Sequence, residues 1–259
     1  MTISPVTRAR RHTLFFLREI RAFAPVFLDT DIDMTAVRAH RSAARTAGEH
    51  FSVVAYILQV AGRVLAAHPE ANAAVHGRKM ARYPEVSGKL TLDKELDGRR
   101  VVLACVLRDL DTATLPRIQQ QIDHHRRGDP HDMPEFAAVR RLHRAPWPLA
   151  AAVFRLGFRP LRRRAALFGT FAVTSLGHRP VDGFYSVGGT AITLGVGQIA
   201  DRPVAVDGRV AVAPVMRLSL TFDHRVIDGA EAADILAEIK HGLETYAPDR
   251  SPAQRLETR

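Results

Sequence analysis

The 259-residue chain is 46% hydrophobic and carries 37 basic against 27 acidic residues. A chain of this size buries roughly 70–75% of its unfolded surface, which excludes a disordered, collagen-like or disulfide-stapled protein. Its single cysteine, Cys105, has no internal partner, so a reducing, cytoplasmic setting is expected. Met1 to Arg21 lacks the apolar core of a signal peptide, and no run of roughly 20 apolar residues offers a membrane span.

The net charge of +10 is local. Phe136 to Phe168 holds Arg140, Arg141, Arg144, Arg155, Arg159, Arg162, Arg163 and Arg164 with no acid, and the remainder has 29 basic against 27 acidic residues.

In chain order, Val26 to Asp33 reads as a strand ending at Met34-Thr35, where a hydroxyl can cap a following helix. Phe51 to Ala67 places Val54, Ile57, Leu58, Ala61, Val64 and Leu65 at helical spacing, and His68-Pro69 stops it. Arg100 to Leu107 is a continuous apolar run of strand length, suited to burial on both faces. Leu115 to His125 is a polar-faced helix. Pro146-Trp147-Pro148 breaks the basic segment into two pieces, with Leu149 to Phe158 a short apolar helix and the arginines solvated. Phe171 to Ser175 and Thr190 to Val196 are strands around a glycine-rich turn. Met216, Leu218, Leu220 and Phe222 alternate with polar residues, a half-buried strand. A helix from Ala230 to about Tyr246 aligns Ile235, Leu236, Ile239, Leu243 and Tyr246. Mixed elements without strict alternation give one α+β domain, a layered α/β sandwich.

The turn Asp223-His224-Arg225-Val226-Ile227-Asp228-Gly229 carries the chemistry. A histidine at the end of a buried strand is aimed by rigid backbone, as a general base requires. Asp228 is placed to hold the turn by pairing with an arginine, Arg8, Arg10, Arg11 and Arg18 being candidates. Gly229 permits a backbone conformation that a side chain would forbid. Read alone, a histidine beside an aspartate is more often structural.

The extended string LSLTFDHRVIDGAEAADIL, Leu218 to Leu236, resembles the catalytic domain of the dihydrolipoyl acyltransferases of 2-oxo acid dehydrogenase complexes. That family shares the H-x-x-x-D-G mark with chloramphenicol acetyltransferase. FAPVFLDTDIDMT from Phe23, HPEAN from His68, GTFAVTSLG from Gly169 and ITLGVGQIADRP from Ile192 extend the similarity over nearly all of residues 5–247, apart from an insertion at 136–168. The resemblance implies a chloramphenicol acetyltransferase-like fold, a mixed sheet flanked by helices. It implies that His224 is the general base, that Asp228 is a structural aspartate, and that the Thr174 hydroxyl stabilises the oxyanion, a contribution of about 3–4 kcal/mol in comparable sites. Ser175, Gly177 and His178 fall where substrate or CoA would bind. His178 also opens a second H-x-x-x-D-G, which reads as chance or as substrate-loop chemistry.

The resemblance further implies direct transfer with acetyl-CoA as co-substrate, no permanently bound cofactor, no metal, and Cys105 as a buried bystander. Histidine and hydroxyl would meet between neighbouring subunits of a homotrimer. Three departures shape the expected function. No lipoyl or subunit-binding domain precedes the first strand, the end from Ala247 to Arg259 lacks an apolar anchor, and the insertion is basic. The insertion reads as a surface helical hairpin, or as a lid or docking surface for CoA phosphates, an acidic carrier protein or an anionic membrane. Nucleic acid is disfavoured because no reading motif accompanies the charge. The expected function is therefore a stand-alone acetyltransferase acting on a hydroxyl of a small or carrier-bound metabolite, such as a tetronate polyketide. A dihydrolipoyl acyltransferase working in trans and a non-catalytic surface-binding protein are the alternatives.

Overall fold

The computed structural model describes residues 1, 6–96 and 98–247; the polar end beyond Ala247 lies outside them. Six strands, β1 (Pro25–Asp33), β4 (Gly88–Leu96), β5 (Arg99–Leu107), β6 (Phe171–Ser175), β7 (Ile192–Val206) and β8 (Arg209–Asp223), form a mixed sheet in the order β1-β8-β7-β6-β4-β5. The β4–β6 and β6–β7 pairs are parallel and the others antiparallel. A small hairpin, β2 (Ala73–His76) and β3 (Lys79–Arg82), stands apart. Eight α-helices complete the described chain: α1 (Arg11–Glu19), α2 (Thr35–Thr46), α3 (Val53–Ala67), α4 (Leu115–Arg127), α5 (Ala137–Arg144), α6 (Trp147–Phe158), α7 (Leu161–Phe168) and α8 (Gly229–Glu244). The α+β sandwich expected from the sequence is what forms. No helix among the described residues is long and apolar enough to cross a membrane.

One face of the sheet makes the main core. Leu90, Cys105, Phe171, Val173, Leu194, Leu218 and Leu220 pack against Ile57, Leu58 and Ala61 of α3 and Ile235, Ile239 and Leu243 of α8. The spacing of those apolar positions is why both segments are helical. Helix α3 starts where the Ser52 hydroxyl accepts from the Ala55 amide at 3.3 Å, and ends at His68. Helix α2 starts without the expected hydroxyl cap: its N-cap is Met34, and the Asp33 carboxylate accepts the Thr35 amide at 2.8 Å.

The opposite face is polar. Pairing puts Lys89, Ala172, Thr193 and Thr221 in one row and Thr174, Gly195, Ser219 and Asp29 in the next. The connection from β6 to β7 crosses this face, and β8 is therefore buried on both sides. The Ser219 hydroxyl donates to the Phe184 carbonyl, and a Cβ on Gly195 would collide with that same oxygen. Alternation was thus a correct sign of a strand and a wrong sign of exposure, since a loop covers the polar side.

Strand β5 departs from expectation in the other direction. It ends the sheet, so Val101, Leu103, Cys105 and Leu107 are buried while Val102 is 58% exposed. The basic segment forms three helices, not two pieces, and α5 and α6 pack on α1 through Phe15, Leu142, Ala150 and Trp147. Its arginines are not uniformly solvated. Arg164 is buried, donating to the Val75 and Gly189 carbonyls and lying 4.4 Å from the Phe158 ring centre. Arg140 donates to the Met133 carbonyl at 2.8 Å, and Arg159 to Glu19 at 2.8 Å.

Candidate active site

Strand β8 ends at Asp223, whose amide donates to the Ala191 carbonyl at 2.9 Å, and the next amide, of His224, donates to the Ala24 carbonyl at 2.9 Å. Two neighbouring segments thereby fix the backbone that carries the imidazole. The ring lies 5.5 Å from Phe222, and its side chain is 48% exposed. Nδ1 faces Asp228 Oδ1 at 3.4 Å, an ion-pair distance. With Nδ1 turned to a carboxylate, Nε2 is the nitrogen left to take a proton from solvent or substrate.

The arginine partner expected for Asp228 is absent among the described residues: its side chain is 90% exposed, and its contact is His224. Arg11 instead donates to the His143 and Ala145 carbonyls, and Arg18 lies over Trp147. The aspartate that orders the turn is Asp223. It is buried, and it accepts the Arg225 guanidinium at 2.8 and 2.5 Å, the Arg225 amide at 3.2 Å and the Ala24 amide at 3.3 Å. Arg225 in turn lies 4.8 Å from the Phe23 ring centre. Neither residue stands out in the sequence as functional; their signal is an acid-base pair flanking the histidine at the end of a buried strand. Gly229 opens α8 without a positive φ, and a Cβ there would meet open space. Its expected conformational role is not what the turn uses.

Thr174 lies on the polar face, where its Oγ1 accepts from the Thr91 hydroxyl at 3.0 Å. Within one chain it does not meet His224. Thr174 stands opposite Gly195, whereas the histidine turn begins beside Ala191. Four residues of strand and two inter-strand steps put the two side chains roughly 15 Å apart. Ser175 Oγ accepts the Gly177 amide at 3.4 Å, and a Cβ on Gly177 would press on the Gly197 carbonyl. His178 is exposed in the following turn. The aspartate of the second H-x-x-x-D-G, Asp182, accepts from Gln198 at 2.8 Å and pairs with Arg202 at 2.6 Å, fastening the loop to β7.

Under that loop sits Lys89, buried, donating to the Gly188 carbonyl with its Nζ 4.7 Å from the Phe16 ring centre. Burial, aided by the Arg164 charge, pushes its ammonium down to about 7. The folded state therefore holds fewer protons than the unfolded chain above pH 7. Lys89 adds stability as the pH rises from about 7 towards the ordinary lysine range, and that gain is absent below it. Thermal unfolding at pH 6 and pH 9 should show Lys89→Met flattening the rise seen in the parent chain. Cys105 is buried, and burial pushes its thiol up to about 12, as expected of a bystander. One group among the described residues could hold a metal ion: ligand atoms of His124, His125 and Glu135 lie within 4.8 Å of one another. It sits at the end of α4, where His124 and Glu135 already pair at 3.0 Å, and touches neither His224 nor Thr174.

Residues 162–249 match the family model of the 2-oxoacid dehydrogenases acyltransferase (catalytic domain). A dihydrolipoyllysine-residue succinyltransferase component of the 2-oxoglutarate dehydrogenase complex from Haemophilus influenzae is 25% identical over 251 residues, covering 93% of this chain and 53% of that protein. The chain thus spans about half the length of that relative. The cubic core of a pyruvate dehydrogenase multienzyme complex superposes with a TM-score of 0.69 at 22% identity, covering 95% of this chain and 92% of that one. Chloramphenicol acetyltransferase superposes at 0.51 and 16% identity, covering 94% and 98%. These likenesses agree on the fold expected from the sequence.

Proposed function

We propose that this chain, a member over residues 162–249 of the 2-oxoacid dehydrogenases acyltransferase (catalytic domain) family and folded throughout like its catalytic cores, transfers an acyl group between coenzyme A and an acceptor, with His224 as the general base. The observation that carries this reading is a half-exposed imidazole with one nitrogen towards a carboxylate and the other free, on a turn fixed by Asp223 and Arg225. In the forward direction His224 Nε2 takes the proton of the acceptor thiol or hydroxyl. The acceptor atom bonds to the thioester carbonyl carbon, whose oxygen becomes the oxyanion. Collapse of the adduct breaks the carbon–sulfur bond, and the departing CoA thiolate takes the proton back from the imidazolium.

Oxyanion stabilisation falls to the Thr174 hydroxyl, and Thr91, a donor to Thr174 Oγ1, leaves the Thr174 proton free to point at the oxyanion. Because the two side chains are far apart within one chain, the working site pairs His224 of one chain with Thr174 of a second, and we take the assembly to be a homotrimer.

For the acceptor, the succinyltransferase relative supports a dihydrolipoyl thiol. The stand-alone acetylation of a metabolite hydroxyl is the competing reading. Incubating the purified chain with acetyl-CoA or succinyl-CoA and either dihydrolipoamide or a panel of hydroxylated metabolites, with CoA release as the readout, separates them. Release dependent on dihydrolipoamide is expected. Release only with hydroxyl acceptors would reverse the order, and none with any acceptor would remove the acyltransferase reading.

A further inference from the structure

Helix α6 is apolar apart from Arg155, yet only one side of it is covered. Ala150 and Phe158 are buried, and Phe154 packs on Phe15 and Phe168. Leu149, Val153 and Leu156 follow one line along the outer side and remain 56%, 51% and 70% exposed. The line continues onto α7, where Leu167 is 52% exposed and its Cδ1 lies 3.7 Å from where a Cβ on Gly157 would stand. A line of large apolar side chains is at home in a core, so this outer side has the composition of a covered surface. Its border is cationic: Arg162 and Arg163 are exposed, Arg155 is exposed with its Nε 3.8 Å from Glu19 Oε1, and Phe136 to Phe168 contains no carboxylate.

We infer that α6 and α7 form a docking surface for anionic phospholipid. Leu149, Val153, Leu156 and Leu167 enter the boundary between headgroups and acyl chains, while Arg155, Arg162 and Arg163 meet lipid phosphates. An exposed apolar line with arginines beside it is the amphipathic arrangement that lies in a membrane plane, and the long arginine stems let the charges stay at headgroup level. A second copy of the same patch is a poor cover, because it would bring arginines against arginines with no acid in the segment to pair them. The surface lies outside the acyl-transfer machinery, so its test does not depend on that chemistry.

The test is flotation of the full chain with vesicles of phosphatidylcholine alone and of phosphatidylcholine mixed with phosphatidylglycerol. The chain should rise with the mixed vesicles and not with the neutral ones. Val153→Glu/Leu156→Glu and Arg162→Glu/Arg163→Glu should each weaken binding by about tenfold or more, leaving CoA release unchanged. If the first pair loses its far-UV circular dichroism, Leu156→Gln alone carries the same expectation. Several results would overturn the inference: no flotation with mixed vesicles, undiminished flotation of the apolar variants, or a smaller assembly for them in sedimentation, which would mean that a second copy covers the patch. Patch-dependent binding of an acidic carrier protein without vesicle binding would assign the surface to that partner instead.

Discussion

Replacing His224 by alanine is expected to lower kcat/KM for acyl transfer by roughly 10²- to 10⁴-fold, the usual contribution of a positioned general base. The imidazole is half exposed, and the turn is held by the His224 and Asp223 backbone amides and by the Asp223 carboxylate. Removing the ring should therefore leave the fold and its unfolding temperature nearly unchanged. A variant that keeps full activity would show that another group takes the proton. One that loses activity together with its fold would show that the histidine is structural, so circular dichroism belongs beside the kinetics. Asp228→Ala should be milder in stability than an arginine-paired aspartate would be, because its side chain is 90% exposed.

Asp223→Ala should be the most damaging change at the turn. Asp223 is buried, and its carboxylate receives the Arg225 guanidinium and two backbone amides. Truncation leaves the largely covered guanidinium without its counter-charge and the Ala24 and Arg225 amides without an acceptor. Breaking a buried pair from one side costs about 3–5 kcal/mol. Denaturant unfolding should register that loss, and whatever protein folds should have a depressed kcat as the base loses its aim. Asp223→Asn, which retains acceptor capacity at one oxygen, should fall between the two. Unchanged stability in Asp223→Ala would mean that the turn is held instead by Ile227, which is buried in the main core, and by α8.

The parts of the fold legible in the sequence were those where period and packing agree. β1, α3, β6 and α8 lie where the sequence places them, and each contributes apolar residues to the same core. Exposure was less legible, since it depends on neighbours distant in sequence. Strand β8 reads as half-buried until the loop carrying Phe184 lies across Ser219. Strand β5 reads as a central strand until the topology leaves it at the edge. The arginines of the insertion read alike as a string, yet Arg164 is enclosed by carbonyls and aromatic rings while Arg162 and Arg163 face solvent. At the site, the histidine and the threonine are named by the family resemblance, but the aspartate that orders the turn is not. Asp223 and Asp228 flank the same histidine, and only burial distinguishes the enclosed carboxylate from the exposed one.

The claim that the site is assembled from two chains is tested most directly by mixing inactive variants. His224→Ala and Thr174→Ala chains, each purified with little or no activity, are co-refolded in equal amounts and assayed for CoA release. In a ring of chains that each lend a histidine to one neighbour and a threonine to the other, about one interface in four regains both groups. The mixture should then recover about a quarter of the parent activity. A mixture as inactive as its two components, although mixed assembly is verified with differently tagged chains, would contradict the account.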